Sequence, residues 1–289
     1  MKIKIAEIFY SIQGEGKFAG VPSVFLRTFG CNFQCRGFGM SRGSLSNEPE
    51  QISEKIELYK TYEDLPLAAT GCDSYASWHP AFKDHSPTYT VDEIVEKMTA
   101  LIPNNKWTQD DGSDVHLVIT GGEPLLGWQR AYEELLTHPK MADLKNLTFE
   151  TNGTQKLSDD FKKFLFKYSS RDGCKGNVDV TFSISPKLTI SGEKWEEAII
   201  PEVVTDYGWY GSSYLKFVVA TREDVVDVER AVSAYQHYGF AGPVYLMPVG
   251  GVPDLYHMTT KDVAELSMNK GYRYSPRLQV DIWRNAWGT

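Results

Sequence analysis

Strand-like and helix-like segments alternate along almost the whole of this 289-residue chain, and no other feature restricts its fold as much. Lys2 to Ile8 and Ser23 to Phe29 read as strands, separated by the glycine-rich turn Gln13-Gly14-Glu15-Gly16. Further strands are predicted at Val115 to Thr120, Leu147 to Thr151, Val178 to Ile184, Tyr214 to Ala220, Val244 to Met247 and Leu278 to Trp283. Between them, Thr90-Val91-Asp92-Glu93 is a capping box, followed by Ile94, Met98 and Leu101 on one helical face. Helices are also expected at Trp128 to Thr137, after an N-cap at Ser158 as far as Tyr168, after Thr221 as far as Tyr238, and from Thr260 to Asn269. Ile190 to Ser213, rich in Trp, Tyr and Gly, is less regular and reads as an added segment. This alternation predicts an α/β fold with a mostly parallel sheet covered by helices. No linker interrupts it, so residues 1–289 are expected to form a single domain.

The second strand runs into Gly30-Cys31-Asn32-Phe33-Gln34-Cys35, at the strand end where parallel α/β folds place their chemistry. A third cysteine stands in Gly71-Cys72-Asp73-Ser74-Tyr75-Ala76. Three thiolates can hold three irons of a cubic iron–sulfur cluster, and the fourth iron stays open to a small molecule. The competing reading is a zinc-binding or merely buried pair, but no second CxxC or HxxxH accompanies it. Cys174, in a glycine-flanked turn, reads as a plain loop thiol. Four cysteines suit a reducing compartment, and a net charge of −8 argues against nucleic acid as a partner. No apolar run is long enough to span a bilayer and no signal-peptide layout opens the chain, so a cytoplasmic protein is expected.

Several motifs resemble those of the radical S-adenosylmethionine (SAM) enzymes, and among them the 7-carboxy-7-deazaguanine synthases. The matching stretches run nearly end to end: Phe9 to Gly16 (with Ser-Ile-Gln-Gly-Glu-Gly), Gly20 to Arg27, the cysteine loop, Thr120-Gly121-Gly122-Glu123-Pro124-Leu125, Glu150-Thr151-Asn152-Gly153-Thr154 and Ser185-Pro186-Lys187. The family signature is CxxxCxxC, and here Phe38 stands where the third cysteine belongs. Because the flanking Asp73-Ser74 and Tyr75-Ala76 follow Cys72, the third ligand is read as displaced by an insertion, Arg36 to Gly71, of 36 residues. An active-site flap and a tolerated surface insertion are equally open readings of that segment.

The resemblance implies a partial TIM-like (β/α) barrel. It implies a 4Fe–4S cluster on Cys31, Cys35 and Cys72, with SAM held by Tyr75, Gly121, Gly122, Glu123, Thr151, Asn152, Ser185 and Lys187. Ser74 would help to bind Mg²⁺, with Asp73 near the ion or capping the loop. Gln13, Glu15 and Arg27 would hold the substrate, Glu15 accepting from aminopyrimidine N–H groups and Arg27 binding a carboxylate. Lys216 lies just inside a strand, free to pair with Glu123 or Glu150 or to face a ligand. The C-terminal tail, with Trp283 and Trp287, is expected to pack back onto the protein, and Asp281 falls near where the family often has a histidine.

The activity implied is a carbon–nitrogen lyase reaction: 6-carboxy-5,6,7,8-tetrahydropterin is converted to 7-carboxy-7-deazaguanine with loss of ammonia, in 7-deazaguanine (queuosine-type) biosynthesis. A flavodoxin-like reductant and a homodimer come with the resemblance. The rivals are another radical SAM enzyme, such as a glycyl-radical activase, and a non-catalytic protein that keeps the fold.

Overall fold

The computed structural model describes residues 1–289. Its first strand, β1 (Lys2–Ile12), is antiparallel to β2 (Pro22–Thr28) on one side and to β3 (Thr88–Thr90) on the other. Every later pairing is parallel, through β4 (His116–Gly121), β5 (Asn146–Thr151), β6 (Asp179–Ile184), β7 (Ser212–Val219), β8 (Val244–Pro248) and β9 (Arg273–Tyr274). The sheet order is β3–β1–β2–β4–β5–β6–β7–β8–β9, an open partial barrel with β3 and β9 as its free edges.

A short α1 (Glu48–Ser53) lies in the excursion between β2 and β3. The crossovers are α2 (Val91–Leu101), α3 (Gln129–Leu136), α4 (Asp159–Tyr168), the pair α5 (Trp195–Ala198) and α6 (Pro201–Tyr207), α7 (Arg222–His237) and α8 (Pro253–Lys270). The chain ends in α9 (Leu278–Trp283). The predicted caps form: Thr90 and Glu93 exchange both capping-box bonds at α2, Thr221 and Asp224 do so at α7, and Ser158 accepts from Phe161 N–H at α4.

Alternation along the strands divides the barrel into two chemistries. Leu117 and Ile119, Leu147 and Phe149, Val180 and Phe182, and Leu215 and Phe217 point to the helices and join one buried cluster of 47 residues. Phe149 stacks on Phe182 with ring centroids 5.6 Å apart, and Phe182 on Tyr207 at 4.7 Å, contacts worth about 1 kcal/mol each beyond burial. The alternate residues, Thr120, Glu150, Ser183 and Lys216, line a cavity inside the barrel. In β1 a bulge between Ile5 and Glu7 switches sides. Ile3 and Ile5 join the helix-facing core, whereas Glu7 and Phe9, of the same parity, line the interior cavity.

Three expectations change. Leu278 to Trp283 alternates like a strand but is the helix α9, because Ser275-Pro276-Arg277 turns the chain away from the sheet and only Val280 of α9 is buried. The last strand is the two-residue β9 before it. The segment 190–213 is the helical crossover that a parallel β6–β7 pair requires, not an addition to it. Within 36–71, where the sequence suggests a short helix around Ser53 to Tyr62, the helix is earlier, at Glu48–Ser53, and only a 3₁₀ turn, Ile56–Leu58, falls in the suggested range.

The excursion builds a second, nine-residue apolar cluster from Ile52, Tyr62, Leu65, Tyr75, Phe82 and neighbours. The C-terminal tail docks there as expected. Trp287 donates its indole N–H to Leu65 O at 2.9 Å and meets the rings of Tyr62 and Tyr75 edge-on, with centroids 5.5 and 5.8 Å away. Trp287→Ala is expected to lower Tm by about 5 °C. The same variant should speed amide hydrogen exchange in residues 62–76, whereas Trp283→Ala, at a half-exposed side chain, should do neither; equal effects from both would refute the docking role.

Candidate active site

The sequence separates Cys35 from Cys72 by 36 residues, and the structure closes that gap with a hydrogen-bonded neck. Ser46 N–H donates to Arg36 O and Gly71 N–H to Phe38 O, both at 2.7 Å. Glu48, in the first turn of α1, accepts from the N–H groups of Ala69 (3.0 Å) and Thr70 (2.8 Å). The outgoing and returning chains are thereby tied together, and Cys72 reaches the cavity that Cys31 and Cys35 also line. On the other side of the loop, Glu193 accepts from Gln34 N–H at 2.9 Å and Cys35 N–H at 2.7 Å, holding Cys35 at a left-handed φ of 52°. Cys174 lies elsewhere, its thiol donating to Trp209 O.

The three thiols fit an iron–sulfur cluster. All three line one cavity, and a cubic cluster spreads its thiolates over separate irons. Trp78 belongs to the apolar cluster against which Cys31 and Cys72 pack, and its buried indole N–H, which meets no standard hydrogen-bond geometry, faces the Cys72 thiol, a placement that suits a cluster thiolate. Burial pushes the Cys31 thiol up to about 12 and Cys72 to about 11, and holds Cys35 well above the usual thiol range. These thiols keep their protons until a thiophilic metal displaces them.

Gly121 and Gly122 end β4 directly against the cysteine loop. A Cβ on Gly122 would lie 2.3 Å from Gly30 O and 2.7 Å from Cys31 Cβ, and one on Gly121 would lie 2.2 Å from Thr28 O. Their lack of side chains is therefore needed for backbone packing as well as for access. Thr151, Asn152, Ser185 and Lys187 line the cavity at the ends of β5 and β6.

Glu123 does not line the cavity. It is fully buried and accepts from Thr151 Oγ1 (2.8 Å), Asn152 N–H (2.7 Å) and Leu125 N–H (3.0 Å), so it clamps the β4 and β5 ends together. Tyr75 is also set back, buried in the insertion's aromatic cluster with its hydroxyl donating to Pro66 O at 2.7 Å. Both residues act on a ligand only through their neighbours.

In the same cavity, next to Asp73 and Ser74, the substrate candidates meet a largely buried charge network. Glu15 pairs with Lys216 at 2.5 Å and with Arg277 Nε at 3.1 Å, and accepts from Gln279 Nε2 at 2.7 Å. Burial pushes the Glu15 carboxyl up, but Lys216 and Arg277 outweigh it and hold the group far below the usual carboxylate range. Lys216 also stands 3.9 Å from Glu150, so it pairs with Glu150 and Glu15 rather than Glu123. Gln13 donates to Glu150 at 3.1 Å and accepts from Glu15 N–H. Arg27 donates to Glu7 at 2.8 Å and to the Ser74 hydroxyl at 3.3 Å.

Arg277 and Gln279 are the functional side chains that sequence reading missed. Gln279 falls inside the stretch that resembles a strand and Arg277 just before it, where an arginine or glutamine ordinarily faces solvent. The only trace is at Gly14: a Cβ there would fall 1.8 Å from Gln279 Oε1. Asp281, by contrast, is half-exposed and pairs with His257 at 2.9 Å outside the cavity.

An open α/β barrel that brings three cysteines and the two glycines of a Gly-Gly-Glu-Pro turn to one cavity of about 240 Å³ defines an enzyme of the radical SAM class. No family model matches the chain. It is 30% identical to the 7-carboxy-7-deazaguanine synthase of Halobacterium salinarum over 98% of this chain and 91% of that protein. It is 29% identical to the synthase of Pyrobaculum aerophilum over 99% and 97%. The crystal structure of QueE from Escherichia coli superposes with a TM-score of 0.52 at 18% identity, covering 95% of this chain and 93% of that one. The chain belongs to the 7-carboxy-7-deazaguanine synthase family.

The clamp at Glu123 has a pH signature. Burial outweighs its three donors and raises the carboxyl to about 7. The folded protein thus holds this proton more tightly than the unfolded chain. Stability falls as pH rises from about 4.5 to 7, by on the order of 3 kcal/mol at most, and then levels off. In cluster-free protein, the stability difference between wild type and Glu123→Gln should therefore change across that window. Parallel pH profiles in denaturant titrations would show that Glu123 is ionised throughout.

Proposed function

We propose that the protein converts 6-carboxy-5,6,7,8-tetrahydropterin to 7-carboxy-7-deazaguanine with loss of ammonia. The observation that carries this reading is the return of Cys72 through the neck into the cavity of Cys31 and Cys35, which the network of Glu15, Arg27 and Lys216 also lines. When bound, the cluster and SAM supply the electron and the radical that removes hydrogen from substrate. The protein's own residues supply binding and orientation.

Thr151, Asn152, Ser185 and Lys187, grouped at neighbouring strand ends, form the SAM wall. Arg27, fixed by Glu7 over the Phe9 ring, offers its remaining N–H groups to the substrate carboxylate. Glu15 is held ionised and so accepts from aminopyrimidine N–H groups. Gln279 Oε1, buried and without a partner, is a second acceptor beside it. Gln13 keeps both carboxylates of this end in place through its bonds to Glu150 and to Glu15 N–H. Exclusion of water falls to Trp287 and its neighbours, which line one side of the cavity.

The reading brings with it a flavodoxin-like electron donor, a homodimer, no nucleic-acid partner and a cytoplasmic setting. It also treats residues 1–289 as one domain, with 36–71 as an insertion in the cluster loop. No helix of the chain is long and apolar enough to cross a membrane.

The test is an anaerobic assay with protein reconstituted with iron and sulfide, SAM, dithionite and the pterin, read by mass spectrometry. Wild type should form 7-carboxy-7-deazaguanine, and Cys72→Ala should lose product and SAM cleavage together. An active Cys72→Ala would end the case for the displaced ligand. SAM cleavage by wild type without pterin turnover would leave the class intact and refute the substrate.

A further inference from the structure

The residues expected to hold Mg²⁺ are already occupied by the protein's own cations. Arg277, at the start of α9 and buried, sets its guanidinium among three acceptors. Asp73 Oδ2 and Gly250 O accept from its two terminal nitrogens, and Glu15 Oε1 accepts from Nε at 3.1 Å. The other Asp73 oxygen accepts from the Ser74 hydroxyl at 3.3 Å, and that hydroxyl accepts from Arg27 at 3.3 Å. Neither the carboxylate nor the serine is free. Mg²⁺ needs close to six oxygens in an octahedron at about 2.1 Å. Set against Asp73 and Ser74 it would lie beside two guanidinium groups, which cannot give up their charge. Asp73 and Ser74 are only partly exposed and Arg277 is buried, so that repulsion is screened less than at an open surface. The donors present do not fit the ion.

We propose that Arg277 stands in for a divalent cation in this enzyme. Tethered from the C-terminal segment, the guanidinium neutralises Asp73 and offers fixed positive charge to an anionic substrate between Glu15 and Ser74, so turnover needs no Mg²⁺. The substrate half of this statement rests on the function proposed above, whereas the binding half does not. A planar fork bonded on three sides is also a more rigid template than a hydrated ion. It ties the cluster loop, through Asp73, to the strand-end turn at Gly250 and to the N-terminal motif at Glu15.

The test uses the cluster-loaded enzyme in its oxidised, EPR-silent state, with Mn²⁺ as the probe for Mg²⁺. Free Mn²⁺ is followed by its EPR signal, with and without the pterin. Wild type should leave the signal unchanged, while Arg277→Met, which frees Asp73 and Ser74, should remove one Mn²⁺ per chain, reversed by excess Mg²⁺. In metal-stripped buffer, Mg²⁺ should change wild-type turnover by less than about twofold and raise that of Arg277→Met about tenfold or more. Arg277→Lys, which keeps the charge, should bind no Mn²⁺. Stoichiometric, Mg²⁺-competed Mn²⁺ binding by wild type, or Mg²⁺-dependent wild-type turnover, would overturn the proposal without needing any variant to fold. A folded Arg277→Met that binds no Mn²⁺ would overturn it too. If wild type makes no product with or without Mg²⁺, the function reading fails, and the Mn²⁺ arm still decides whether the guanidinium fills a cation site.

Discussion

A chain of buried charges crosses the interior of this barrel, and the arrangement of the site depends on it. It runs from Asp73 through Arg277 to Glu15, Lys216 and Glu150, joining the cluster loop, the C-terminal segment, the N-terminal motif and two parallel strands. Burying such groups is costly, and the cost is tolerable only when each charge has a partner with good geometry. Removing one member would leave its neighbours unpaired in a poorly polarisable interior. The network is thus a weak source of net stability but a strong constraint on conformation. It holds five distant parts of the sequence in one register, which is what a site that must orient a small polar heterocycle requires.

The sheet makes room for that network by keeping its two faces chemically distinct. Phenylalanine, leucine and valine point toward the helices and bury against them, so the fold's stability resides on the outer face. The inner face is left to threonine, serine, glutamate and lysine. The bulge in β1 is the device that lets the first strand serve both. Before it, Ile3 and Ile5 belong to the outer core; after it, Glu7 faces inward and secures Arg27.

The outer face was the more legible in the sequence. Alternating elements, the caps at Thr90, Ser158 and Thr221, and the strand-end positions of the Gly-Gly-Glu-Pro and Glu-Thr-Asn-Gly motifs all follow from local chemistry, because periodicity and capping are properties of a few consecutive residues. The flanking residues of Cys72 also pointed to the right cavity. The roles of Arg277 and Gln279 were hidden, since what makes them functional is a partner more than 250 residues away and nothing nearby. The same holds in reverse for Glu123 and Tyr75. Their motif placed them at the site, but only packing shows that their side chains turn away from it. The period-two pattern of Leu278 to Trp283 misled because a short amphipathic helix and a short strand differ little over six residues.

The neck beneath residues 36–71 bears on how such a protein changes over time. Closing a loop of this length instead of a two-residue one costs only about 2.5 kcal/mol of chain entropy, because the cost grows with the logarithm of length. The bonds from Ser46 and Gly71 and the carboxylate of Glu48 offset that cost at the base of the loop, where the position of Cys72 is set. Beyond them, only the stretches that do not pack on Tyr75 and Trp287 are free to lengthen or shorten without moving the thiol. Spacing between ligands, the usual ruler for recognising a metal-binding signature, is then a poor measure of kinship. A lineage can lose the written motif and still bring the same three thiols to one cavity.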